Sequence, residues 1–91
     1  MTKGATMRKA EIVSEIINAW DPAGLLAGGA PSNEYDIEID RISNMFHPEL
    51  VETELAKIIH TVFNDSLAMK LSLLQCLKCA FRMLEELRST D

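Results

Sequence analysis

The 91-residue chain reads as an all-α, small four-helix bundle-like domain with a long glycine-containing loop between the first two helices. Two observations predict this. Apolar residues recur at helical spacing in four separate stretches, and the prolines, with most of the glycines, fall between those stretches instead of inside them. One domain spanning residues 1–91 is expected, with residues 1–7 frayed because they offer nothing to pack.

In the first stretch Ile12, Val13, Ile16, Ile17, Ala19 and Trp20 project to one side and Glu11, Ser14, Glu15 and Asn18 to the other. This helix stops at Asp21-Pro22, since a proline crowds the preceding residue out of the helical region and cannot donate to a continuing ladder. Residues 21–32 then form the loop, carrying Gly24, Gly28, Gly29 and Pro31 around Leu25 and Leu26, which anchor it. Ser32 is the expected N-cap of the second helix, and Asn33, Glu34 and Asp36 fill its first turn, where acids meet the positive end of the helix dipole.

Tyr35, Ile39, Ile42, Met45 and Phe46 line one face of that helix, which runs out at His47-Pro48. Pro48 suits the first turn of a third helix, in which Val51, Leu55, Ile58, Ile59, Val62 and Phe63 repeat. A turn is expected at Asn64-Asp65-Ser66. The fourth helix then runs from about Ser66 to Arg88, roughly 30 Å at the standard rise. Its apolar residues, from Met69 through Leu73, Leu74, Leu77 and Phe81 to Leu87, cover an arc wider than the usual stripe. Either this helix is the spine on which the other three pack, or part of its face meets a second molecule. The spine is the favoured expectation. The core is expected to contain Ile16, Trp20, Tyr35, Ile39, Ile42, Leu55, Ile59, Leu73, Leu77, Ala80 and Leu84.

The composition narrows the function classes. A net charge of −5, with the basic residues scattered, disfavours nucleic acid and anionic membrane surfaces as partners. No long apolar run suggests a membrane span, and the first residues lack the apolar centre of a secretory signal, so a cytoplasmic location is expected. Cys76 and Cys79, three apart in a helical pattern, read as reduced, buried thiols.

Three groups invite chemistry. Glu34, Asp36, Glu38 and Asp40 recur every two residues, but a helix sends them to opposite flanks of the apolar stripe, leaving a solvated face as the simpler account. Asp21, brought round by the loop to Glu34 or Asp36, would supply a metal-dependent activity. Cys76 and Cys79 with His47 and His60 have the ligand types of a zinc site without its turn geometry. The glycines lack the lysine of a phosphate loop, and no nucleophile elbow is present. An enzyme is not expected, and neither is a cofactor. What remains is Trp20-Asp21-Pro22 with Glu34-Tyr35-Asp36 and the outward-projecting Ile37, which either lock the loop to the bundle or form an interaction surface.

Trp20-Asp21-Pro22, together with Pro31 followed by Glu34-Tyr35-Asp36 and Glu38-Ile39, resembles the YugE-like proteins, a small bacterial family of unknown function. Glu54-Leu55-Ala56, Ile58-Ile59 and Val62-Phe63 fit it more loosely. The resemblance implies a small all-helical domain and carries no activity with it. A similar pattern, tryptophan-aspartate-proline followed by an acidic residue, tyrosine and aspartate, occurs in small immunity-type proteins that neutralise bacterial toxins, which implies by analogy an acidic, protein-binding role. The expected function is accordingly a non-catalytic protein-binding module, immunity- or adaptor-like, as monomer or homodimer. The alternatives are the metal-dependent activity using Asp21, Glu34 and Asp36, and a self-associating structural protein in which Ile37 and the outer part of the fourth helix meet a second copy.

Overall fold

A computed structural model describes residues 2–31 and 33–89, and the side chains within that range from residue 8 onward. The four stretches of helical periodicity fold into α1 Thr2–Trp20, α2 Asp36–Met45, α3 Glu52–Leu67 and α4 Leu73–Arg88, and there is no strand among the described residues. The helix α1 thus takes in residues 2–7, while the expectation of fraying there concerns Met1 and side chains outside the described residues.

The helices form a ring. Each packs on its neighbours in chain order, and α4 closes the ring against α1; α3 and α4 share the most extensive contact, while the backbones of α1 and α3, and of α2 and α4, stay apart across it. The shortest dimension of the Cα trace, 18 Å, fits two helix layers at the usual interaxial spacing of about 8–10 Å. Inside the ring lie Val13, Ile17, Tyr35, Ile42, Phe46, Leu55, Ile59, Phe63, Met83 and Leu84, each essentially without solvent contact.

This ring corrects the spine expectation. Since α4 runs close beside only two other helices, α1 and α3, its wide apolar arc is not consumed by three neighbours. Leu73, Leu74 and Phe81 remain 57%, 61% and 54% exposed, and Leu77 is half-buried. Leu73 is therefore absent from the core, and Trp20 and Leu77 pack only partly against it; the other expected core residues are buried.

The helix ends also move, for local and long-range reasons. Helix α2 starts at Asp36, after turns closed by Glu34 N–H to Pro31 O (3.1 Å) and Asp36 N–H to Asn33 O (3.2 Å). The cap expected at Ser32 lies outside the described residues, and Tyr35 occupies the N-cap position. Pro48 does not open α3. It sits in a turn closed by Leu50 N–H to His47 O (3.1 Å), where its fixed φ serves equally well, and α3 begins at Glu52. Nor does α3 break at Asn64-Asp65-Ser66. Arg41 of α2 lies 3.6 Å from Asp65 and donates to Ser66 Oγ at 3.3 Å, and the helix continues to Leu67 before Ala68 closes it in the left-handed conformation. The cap of α4 is Ser72, whose Oγ accepts from Gln75 N–H at 3.4 Å.

Glu38 departs from the solvated face read from the sequence. It is 4% exposed, with Oε1 buried and unpartnered, because it shares the inward stripe of α2 with Tyr35 and Ile42.

The two sides of α4 are expected to respond differently to truncation. Leu84→Ala, inside the ring, is expected to lower unfolding free energy by about 2–5 kcal/mol, and Leu73→Ala by no more than about 0.5 kcal/mol, as measured by urea denaturation.

Candidate functional site

The loop after α1 is built by residues that accept unusual backbone angles. Asp21 turns the chain at φ 50°, and Gly24 (φ 67°) and Gly29 (φ 98°) hold positions that side chains rarely tolerate. Four bonds, Gly24 N–H to Asp21 O (2.9 Å), Gly28 N–H to Gly24 O (3.1 Å), Gly29 N–H to Leu26 O (3.1 Å) and Ala30 N–H to Leu25 O (2.9 Å), fold the loop on itself, with Leu25 and Leu26 laid on the core.

Two side chains from the recognised motifs then fasten it. Tyr35 is fully buried, and its hydroxyl donates to Asp21 Oδ1 at 2.6 Å while accepting from Ala23 N–H at 3.0 Å and Leu25 N–H at 3.5 Å. Asp21 also accepts from Leu26 N–H on Oδ1 (3.1 Å) and from Ala27 N–H on Oδ2 (2.9 Å). The Tyr35 hydroxyl, outweighing desolvation and assisted by these N–H groups, holds the Asp21 carboxyl below its ordinary range. Burial first, and the Asp21 carboxylate second, push the Tyr35 hydroxyl above its own. Both rings of the motifs converge on Phe63 of α3: Trp20 at a centroid distance of 6.3 Å, tilted, and Tyr35 at 6.0 Å, edge to face.

Of the seven residues singled out from the sequence, Trp20, Asp21 and Tyr35 are thus brought together and engaged in holding the loop. Pro22 is half-buried beside them. Glu34 and Asp36 point to solvent, and Ile37, 70% exposed, stands on the outer side of α2. Asp21 meets Tyr35, not Glu34 or Asp36. Among the described residues no three His, Cys, Asp or Glu side chains converge as ligands for a metal ion.

Cys76 and Cys79 are free and buried on the inner side of α4. Burial pushes the Cys76 thiol up to about 11 and, with the neighbouring thiol adding to it, Cys79 up to about 12. Both are therefore protonated and unreactive at neutral pH.

Two features escaped the sequence reading. Arg88, in the last turn of α4, donates to Pro48 O (3.2 Å) and Leu50 O (2.9 Å) and pairs with Glu52 at 3.0 Å, tying the end of α4 to the α2–α3 connection. A cation near a helix C-terminus was its only signal, and that is commonplace. Within the wide apolar arc already read from the sequence, the charges Lys78 and Glu85 were not singled out: on the outward ridge of α4, Leu74, Lys78, Phe81 and Glu85, all exposed, recur at spacings of four, three and four. Beside it, Glu52, Phe81, Glu85, Arg88 and Ser89 line an open hollow of about 450 Å³.

A ring of four helices, with a latched loop and an uncovered apolar face on α4, defines a small all-α domain. The chain belongs to the DUF1871 family, described as a domain of unknown function, whose profile matches residues 12–90. No curated protein and no solved structure matches the chain.

Removing the latch hydroxyl by Tyr35→Phe leaves the Ala23 N–H without its acceptor and is expected to cost about 1–3 kcal/mol. Amide exchange should quicken at Ala23, Leu26 and Ala27, with the bundle amides retaining their order of protection. Because the folded pKa of Asp21 is depressed, its contribution is present above the unfolded value of about 3.9 and lost as pH falls through the folded value. Urea midpoints of the parent should therefore fall on acidification below that point, and those of Asp21→Asn should fall less. The thiols provide a separate check: Cys76 and Cys79 should resist alkylation at pH 8 in the folded protein and react readily in denaturant.

Proposed function

We propose that the chain is a non-catalytic protein-binding module, immunity- or adaptor-like, of the YugE-like kind within its family, acting in the bacterial cytoplasm. The observation that carries this reading is the apolar exposure along the outer side of α4, where Leu73, Leu74 and Phe81 are each more than half exposed. Large side chains in one such patch, rimmed by charge, are the ordinary signature of a protein-docking surface. The acidic balance, −5 overall, suits a protein partner better than a phosphate backbone. That no described helix is long and apolar enough to cross a membrane is consistent with the location.

The reading moves the interaction surface away from the Trp20-Asp21-Tyr35 latch, whose polar atoms are engaged within the chain. A metal-dependent activity at Asp21, Glu34 and Asp36 draws no support from the geometry, since Asp21 is committed to Tyr35 and the loop N–H groups.

Capture from a bacterial lysate with two baits tests the proposal. The parent is expected to retain a stoichiometric protein, either a different chain or a copy of itself, that Phe81→Glu does not. Identical recovery by both baits would sink the assignment to α4.

A further inference from the structure

We infer that the outer face of α4 binds a second copy of this chain, two α4 helices packing antiparallel about a twofold axis beside Phe81, with Lys78 of each copy facing Glu85 of the other. The inference rests on the protein-binding reading of this face and names its partner.

The order of charges argues for it. Lys78 and Glu85 are seven residues apart, two helical turns, and so share one edge of the ridge. Both are exposed, and neither has an ion-pair partner among the described residues. An antiparallel twofold axis brings the same edge of each helix together in reversed order, so lysine meets glutamate at two places. In a parallel pair the twofold axis would carry this edge to the opposite side of the contact, where neither Lys78 nor Glu85 meets its complement in the other copy. One face that complements itself in one orientation is what an isologous contact requires.

The apolar residues fit the same register. With Lys78 opposite Glu85, the axis passes beside Phe81, so the two exposed rings meet at the centre. Leu74 of one copy falls opposite Ser89 of the other, at the mouth of the hollow lined by Glu52, Phe81, Glu85, Arg88 and Ser89. Its volume of about 450 Å³ leaves room for a leucine side chain. Ile37 takes no part, because the backbones of α2 and α4 stay apart, across the ring from one another.

The contact is small. One helix of 16 residues is about 24 Å long, and a single face of that length lies at the low end of specific interfaces, so the dimer forms in the micromolar range or weaker.

Sedimentation equilibrium across micromolar to millimolar concentrations, with circular dichroism to verify folding, is the test. The parent is expected to pass reversibly from monomer to dimer. Lys78→Glu and Glu85→Lys should each weaken the dimer at least tenfold, and the two together should restore most of the loss, since the reversed charges again complement. A parent that stays monomeric over the whole range overturns the inference; if it nonetheless captures a different protein through Phe81, the protein-binding reading survives without it. A dimer indifferent to the single reversals, or a double variant no better than the single ones, also overturns it.

Discussion

The bond from the Tyr35 hydroxyl to Asp21 is the constraint on which the first half of the molecule depends. A phenol carried into the core must keep its O–H and its lone pairs partnered, or it pays the full desolvation penalty of the group. Tyr35 satisfies this where a carboxylate and two loop N–H groups converge. The same ring packs edge to face on Phe63, so one side chain fixes the end of α1, the path of the loop, the start of α2 and the middle of α3 with respect to each other. Asp21 reaches this position through a left-handed backbone angle that aspartate tolerates better than most residues. A motif that looks chemically active is in this way occupied with satisfying the backbone of a glycine loop.

Arg88 performs the equivalent task for the connection between α2 and α3. The carbonyls of Pro48 and Leu50 belong to a segment with few regular hydrogen bonds, and a guanidinium from the far end of the chain supplies donors to both while its charge is balanced by Glu52. With these connections held from within, and the helices arranged as a ring, α4 is left with two neighbours. Its ridge from Leu74 to Glu85 faces outward as a direct consequence of the topology.

How far the sequence disclosed this can be judged residue by residue. The number of helices and most of their inward faces follow from spacing alone, as with Ile16, Ile39, Ile42, Leu55, Ile59 and Leu84. The latch was legible in outline, since a large phenol and an acid flank a loop that must close; the choice of Asp21 over its acidic neighbours required the loop's path. Helix ends were less legible because their determinants are remote. Pro48 suits a helix start and a turn equally well, and Arg88, 40 positions away, holds the turn. Asn64-Asp65-Ser66 has the composition of a break, yet Arg41 from another helix secures it as a last turn. Glu38 was misread because its charge outweighed its position; placed between Tyr35 and Ile42 on one stripe, it goes inward with them, leaving Oε1 unpartnered. The width of the α4 arc was visible, whereas how many helices would cover it depends on ring order, which no local pattern encodes.

In the proposed pair the two kinds of residue on the ridge have separate roles. Leu74 and Phe81 supply the free energy, since apolar area removed from water is worth roughly 25 cal/mol per Å² whichever way the helices run. Lys78 and Glu85 select the direction: exposed pairs contribute about 0–1 kcal/mol each, too little to hold two chains together but enough, doubled by symmetry and absent from the parallel alternative, to fix an orientation. The chain's net charge of −5 acts against association at long range, and screening within about 8 Å at physiological ionic strength removes most of that repulsion while leaving contacts at the interface less affected. Salt therefore works in opposite senses on approach and on orientation. An association of this kind is weak, reversible and directional, which suits a small module whose apolar face must remain soluble when alone.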